Sequence, residues 1–387
     1  MDTTLTTALK SIEQQLFEIG DTLYENPELG DEEFQSMQLL VDFLKQHHFQ
    51  VETGIINRPT AFKAVFTSDR PGPTIAFLAE YDALPEVGHG CGHNLIAAMG
   101  VGAGVTLSKV VHETGGKVMV IGTPAEETNG AKVAMSEAGV FDDVDVAMMV
   151  HGADQSYASG STSAMEALQF TYTGKASHAA AEPEAGINAL DGVIQLFNGI
   201  NALREHLSSD ARLHGIITEG GQAANVVPDR AVAQFYIRAK ERTYLDTVIE
   251  KVKNIAEGAA LMTGASLEVS NYETSFDNLV TNEALSETFT KRLREVSVHP
   301  VYPGEQSFGS TDMGDVSKVA PAIHPFIGLN EPGLVFHTKE FADKTVTDDG
   351  HRAISEGALS MALTGYDILS DEALFKKIRA EFEASQT

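Results

Sequence analysis

The stretch "EVGHGCGHNLIAAMG" at residues 86–100 places the only cysteine of a 387-residue chain between two histidines, His89 and His93. A thiol beside imidazoles allows three chemistries: an inert packed thiol, a nucleophile activated by histidine, or a metal ligand. Other residues able to ligate or move protons follow three apolar runs. Glu80 and Asp82 come after "TIAFLA", Glu126 and Glu127 after "KVMVIG", and His151 after "VDVAMMV". Taken singly, each has a plainer role, as a core thiol, a helix-start polar group or a charge favoured by a helix N-terminus. Together, a thiolate, imidazoles and a carboxylate pair suit zinc or a similar divalent ion. In an extended "HGCGH" segment His89, Cys91 and His93 would all point one way. The glycines between them permit other torsions, so spacing leaves open which two bind.

The elements that must position these groups read as an α/β pattern. Residues 1–50 have helical spacing, broken at "NPELGDEEF". Strand-like runs at 74–79, 117–122 and 144–150 then alternate with helical stretches at 94–110 and 131–139, which predicts a buried, mostly parallel sheet flanked by helices. In such sheets functional groups gather beyond the carboxyl ends of the strands, where the candidate residues fall. "GVGAG" at 100–104 lies inside a helical stretch rather than after a strand, which argues against a dinucleotide loop.

The middle of the chain changes style. "EALQFTYTG", "ARLHGIITEGG", "RAVAQFYIRAK" and "SLEVSNYE" read as strands, and two amphipathic helices at 188–207 and 243–264 complete a β-α-β-β-α-β order. We expect an inserted α+β domain, ferredoxin-like with a four-stranded antiparallel sheet, at 165–277, and a discontinuous catalytic domain at 1–164 and 278–387. After about residue 280 the order returns to helix, a strand at "AIHPFIGL" and a long helical C-terminal region.

Composition bounds the partners. The chain is 43% apolar and 21% charged with no long apolar run, which fits a soluble protein without a membrane span. "MDTTLTTALKSIEQQLFEIG" has neither a basic start nor an apolar h-region, and one cysteine cannot form an internal disulfide. Both point to the cytoplasm. A net charge of −28 without a local basic stretch argues against nucleic acid.

The segments "AEYDALPEVGHGCGHNLIA", "GTPAEETNGAK", "MMVHG", "GKASHAAAEPEAGINALDGV", "GGQAANVVPD" and "VFHTKEF" together resemble the M20 family of metallopeptidases and amidohydrolases. The match is to the subgroup with cysteine in place of the metal-bridging aspartate, which includes aminobenzoyl-glutamate hydrolases and dipeptidases of the M20 domain-containing protein 2 type. The motifs run in family order from about residue 10 to the C-terminus.

This resemblance implies two divalent ions per chain, with Cys91 as the bridging ligand, His93 and Glu127 ligands on its two sides, and His151 and His337 completing the set. Zinc suits one sulfur and several nitrogens, and manganese or cobalt can occupy such sites. Glu126 matches the general base acting on a water between the ions, and Asp82 the aspartate that orients a metal-binding histidine. His178 matches the histidine that reaches the neighbouring subunit's site, and Asn225 and Arg238 fall where the family holds substrate. The implied partners are a small amide or dipeptide substrate and a second copy of the chain joined through the inserted domain, with higher oligomers allowed.

The sequence departs from the broader family at two ligand positions. Glu80 stands where many members have a histidine ligand, so the ion on that side depends on His93. His151 stands where other branches use a carboxylate. Two competing readings are a non-catalytic binding module on the same fold, and a cysteine hydrolase using Cys91 with His93 or His151.

Overall fold

The computed structural model describes residues 2–386. They form two compact units, one of residues 2–161, 279–307 and 311–386, the other of 162–278 and 308–310. Among the described residues no helix is long and apolar enough to cross a membrane.

The first unit is an α/β structure around a six-stranded sheet. Its order is Gln50–Thr53, Phe62–Thr67, Lys117–Gly122, Thr74–Ala79, Val146–Met148 and Ala322–Ile323. The last four strands run parallel, while the first two form an antiparallel edge. "TIAFLA" is buried at every residue, as a central parallel strand covered on both faces requires.

The helix His93–Ser108 packs so closely on this sheet that all its residues are buried. Its glycines make that approach possible. A Cβ at Gly100 would lie 2.7 Å from the Leu78 carbonyl oxygen, and one at Gly104 would lie 2.3 Å from Val120 Cγ2. "GVGAG" is therefore a packing surface. The helices Asp2–Glu25 and Asp348–Ser370 pack on the same helix and bury apolar stripes in one core.

Two sequence expectations need correction here. "VDVAMMV" does not run as one strand up to His151, and "AIHPFIGL" is not one strand. Each crosses from one sheet to another: Val146–Met148 and Ala322–Ile323 belong to the six-stranded sheet, whereas His151–Ala153 and Phe326–Gly328 pair in a second, four-stranded sheet. The first run stays apolar through its bend, so its hydrophobic pattern carries no mark of the switch, whereas in the second His324 and Pro325 stand at the crossing, and proline interrupts a strand there.

The second unit has the expected β-α-β-β-α-β order. Its antiparallel sheet runs Ser266–Asn271, Ala164–Thr173, Arg230–Ala239 and Arg212–Glu219, with helices Ala189–Leu203 and Arg242–Thr263 burying their apolar stripes in a core of its own. Asn188 caps the first helix, its side chain accepting from Leu190 N–H at 3.0 Å.

Candidate active site

The site lies beyond the carboxyl ends of the parallel strands of the first unit. Asp82, fully buried after Thr74–Ala79, ties two segments together. One carboxylate oxygen lies 3.0 Å from His93 Nδ1, and the other accepts the Glu127 backbone N–H at 2.9 Å. This leaves His93 Nε2 as the ring atom free to ligate, with its plane held by the carboxylate. Glu126 and Glu127 follow Ala125, which holds a left-handed φ of 60° without being glycine. His337 has the same rare conformation, φ 63°, and donates its backbone N–H to the Gly90 carbonyl at 2.9 Å. Such torsions persist only where surrounding contacts impose them, and they cluster at functional sites.

Among the described residues four groups of ligand atoms converge: two without sulfur, His93–Glu126–Glu127 and Glu80–Glu126–Asp312, and two that share the Cys91 sulfur. Cys91, His93 and His151 form one of the sulfur-containing groups, and Cys91, Glu127 and His337 the other, each with its atoms within 4.8 Å of one another. Cys91 Sγ lies 3.4 Å from His151 Nε2, and His337 Nε2 lies 3.3 Å from Glu127 Oε1. The remaining His151 nitrogen, Nδ1, sits 2.6 Å from the Gly152 carbonyl oxygen, which orients the ring. "HGCGH" is thereby resolved: among the described residues the converging groups contain Cys91 and His93, while His89 lies buried outside them, and burial lowers its pKa to about 3.

The donor set fits divalent ions. His93 Nε2 and Glu127 Oε1 are buried, and the groups facing them are themselves ligand types, Glu80 Oε2 and His337 Nε2, each at 3.3 Å, a set of ring nitrogens and carboxylate oxygens of the kind divalent ions bind. Charge leads to the same conclusion. The buried or nearly buried carboxylates of Glu80, Asp82, Glu126, Glu127 and Asp312 face one lysine, Lys132, and two histidines, His93 and His337. Burial, then the charges of Glu80, Asp312 and Glu127, hold the Glu126 carboxyl well above its ordinary range. Glu127 is held low, because the hydrogen bond from His337 and the charge of His93 outweigh its burial. Burial pushes the Cys91 thiol up, so a cation is what would ionise it.

One part of the site escapes sequence reasoning. Lys132, completely buried at the start of the helix Ala131–Glu137, places its ammonium 2.5 Å from Glu80 Oε1 and 2.6 Å from Asp312 Oδ1. Its backbone N–H also donates to Asp312 Oδ2 at 3.1 Å. The other Glu80 oxygen lies 3.3 Å from His93 Nε2. A lysine on a helix with core spacing carries no signal of this role, and Asp312 is 180 residues away. Removing one member of a buried ion group leaves uncompensated charge, so Lys132→Met should lower the unfolding free energy by about 3–5 kcal/mol in urea titrations. A loss below about 1 kcal/mol would mean that Glu80 and Asp312 do not depend on the ammonium.

The inserted unit holds the other three predicted residues, and it does not bring them all together. His178 and Asn225 meet in one irregular hairpin: Ala179 N–H donates to the Asn225 carbonyl at 3.0 Å, and His178 bridges Val226. Both side chains are exposed. Arg238 stands at the opposite end of the sheet, near the close of Arg230–Ala239. Its Nη1 donates to the Phe308 carbonyl at 3.2 Å and to Ser310 Oγ at 3.0 Å. Nε and Nη2 make no hydrogen bond among the described residues, which leaves a fork for a carboxylate.

Comparison with known proteins agrees with this geometry. A family model described as the peptidase dimerisation domain of M20 proteins matches residues 165–262. The chain is 32% identical over 394 residues to a mouse Xaa-Arg dipeptidase, covering 96% of this chain and 89% of that one. It is 30% identical over 453 residues to one of the chains of the Escherichia coli p-aminobenzoyl-glutamate hydrolase, covering 97% and 93%. Among solved structures, an aminobenzoyl-glutamate utilization protein from Klebsiella pneumoniae superposes with a TM-score of 0.74 at 21% identity, covering 94% of this chain and 98% of that one. A dinuclear metal binding M20 peptidase from Bacillus subtilis superposes with a TM-score of 0.67 at 20% identity, covering 92% and 99%. The class of protein that fold and site define is thus a hydrolase. The chain belongs to the M20 family of metallopeptidases and amidohydrolases, and to its aminobenzoyl-glutamate hydrolase and dipeptidase branch.

Proposed function

We propose that this chain is a dinuclear metal-dependent hydrolase that cleaves the amide bond of a small dipeptide or an N-acyl or N-aroyl amino acid. The observation that carries the reading is the pair of ligand groups sharing the single thiol of Cys91. His93 and His151 would hold one ion and Glu127 and His337 the other, with zinc favoured by the sulfur and nitrogen donors and manganese or cobalt able to replace it. Bound there, the ions would acidify a water and polarise the substrate carbonyl.

The protein's own groups supply the rest. Glu126, whose carboxylate is the one of the pair outside both Cys91 groups, takes the water's proton and passes it to the departing nitrogen. Asp82 keeps His93 and the Glu127 backbone in register. The open fork of Arg238 suits a substrate carboxylate, and Asn225 a substrate amide or carboxylate. The relatives' names support this class, since an Xaa-Arg dipeptide and aminobenzoyl-glutamate both carry an amide bond to an amino acid.

His178 acts as an oxyanion donor in the site of a partner copy. His178 and Asn225 lie at one end of their sheet and Arg238 at the other, so a single inserted unit does not present all three to one small substrate, which favours a contribution from a second copy. The inserted domain, 165–277, serves as the dimerisation domain. Its edge strand Arg212–Glu219 exposes Ile216 and Ile217, and Ile194 and Val226 are exposed in the same unit, an apolar edge of the kind that a second copy covers. We place the enzyme in the cytoplasm.

A substitution of the thiol separates this reading from a cysteine hydrolase. A carboxylate bridges divalent ions as a thiolate does, so Cys91→Asp should retain metal and measurable activity on a panel of dipeptides and N-acyl amino acids, while Cys91→Ala loses metal. Full activity in Cys91→Ala would remove the ligand assignment. An inactive, metal-loaded Cys91→Asp beside an alkylation-sensitive parent would favour the nucleophile.

A further inference from the structure

The segment between the first two helices is more than a connector. Ala83 N–H donates to the Glu28 carbonyl at 2.8 Å, which anchors it beside Asp82. Gly30 presses on the glutamate loop so closely that a Cβ there would lie 3.0 Å from Ala125 Cα and 2.5 Å from Thr128 Oγ1. Asp31, itself left-handed at φ 66°, accepts from Arg58 at 2.9 Å and from Asn129 Nδ2 at 2.6 Å. Glu33 completes the brace. Its side chain is wholly buried, and Oε1 accepts the backbone N–H of Ala125 at 2.8 Å.

Glu33 has no simpler employment. It immediately precedes the helix Phe34–Gln46, yet its side chain makes no capping bond to it. Glu28 takes that role, accepting from Gln35 N–H at 3.1 Å and Ser36 N–H at 2.8 Å. A carboxylate buried against Tyr81, Asp82 and Thr60 is a costly way to fill space. What it secures is the amide of the one left-handed residue in front of Glu126. Beyond that residue the two glutamates share His93 and differ in their other neighbours: Glu126 groups also with Glu80 and Asp312, and Glu127 with Cys91 and His337.

We infer that Glu33 is a positioning residue, whose buried side-chain oxygen holds the Ala125 amide and so keeps Ala125 left-handed, Glu126 beside Glu80 and Asp312, and Glu127 beside Cys91 and His337. This rests on the proposed division of labour between Glu126 and Glu127. The function demanded of residue 33 is an acceptor at the right reach, not a charge. Gln supplies the same oxygen on the same stem; Asp keeps the charge but falls one methylene short; Leu fills the volume with no acceptor.

The test compares Glu33→Gln, Glu33→Asp and Glu33→Leu in the full chain for kcat, KM and Co(II) binding followed in the visible spectrum. Glu33→Gln should keep kcat within about threefold, whereas Asp and Leu should lose at least about tenfold in kcat with KM changed less than about twofold, and should bind the second Co(II) equivalent about tenfold more weakly. Glycine occupies the left-handed region without penalty, so Ala125→Gly added to Glu33→Asp or Glu33→Leu should recover most of the lost kcat. If Glu33→Leu does not fold, the order Gln above Asp still decides. Equal losses in Gln and Asp, Asp retaining more than Gln, or no recovery with Ala125→Gly would each overturn the inference. A parent chain that binds no Co(II) would instead refute the metal reading beneath it.

Discussion

Glu126→Gln should bind its metal ions as the parent does and lose at least about two orders of magnitude in kcat, the scale of general acid–base help. Glu127→Gln should lose activity and metal together. The difference follows from where the two carboxylates sit. Glu127 lies among Cys91 and His337, with its amide fixed by Asp82, so removing its charge should remove one of the proposed ligands. Glu126 lies beside Glu80, Asp312 and His93 but outside both Cys91 groups, so its loss should remove a proton carrier and leave the sulfur-containing ligand groups intact. Elemental analysis of both variants decides. Equal metal loss in the two would refute the separation of roles, and an active Glu126→Gln would leave the chain without a base.

The second large effect concerns the partner copy. A Glu126→Ala chain and a His178→Ala chain should each be nearly inactive as homodimers, because every site lacks one required group. In a mixed dimer one site joins the intact Glu126 of one chain to the intact His178 of the other. Random reassortment makes about half the dimers mixed, each with one complete site of two, so co-expression should restore about a quarter of parental activity per chain. Differently tagged chains allow the mixed species to be purified. No recovery there would mean that His178 acts within its own chain or not at all, and the shared site would have to be abandoned.

Much of this site was legible in the sequence because its groups stand directly after apolar runs or within glycine-rich loops. Cys91, His93, Glu127 and His151 come together as the strand order suggests, and His337 joins them from a distant loop. What spacing left undecided was the choice between His89 and His93, which turns on a contact with Asp82 that no local pattern encodes. Lys132 and Glu33 were illegible for a related reason. Each is a charged residue in a helical or turn context where a solvated role is ordinary, and only long-range packing turns it inward. The fold followed the same rule. Order and period anticipate the antiparallel sheet, whereas the crossing between sheets at Met149–Val150 lies within continuous apolar sequence and is set by tertiary pairing, and the one at His324–Pro325 is marked only by its proline.

Removal and return of metal bear on the proposed dinuclear centre without any substitution. Protein stripped by a chelator and freed of it should show no amide hydrolysis on the dipeptide and N-acyl amino acid panel, and stepwise addition of Zn(II), Mn(II) or Co(II) should restore activity as about two ions bind per chain. The same apo protein should expose a Cys91 thiol to alkylation that the reloaded protein protects. Activity that survives complete chelation and disappears only on alkylation of Cys91 would contradict the metal centre outright.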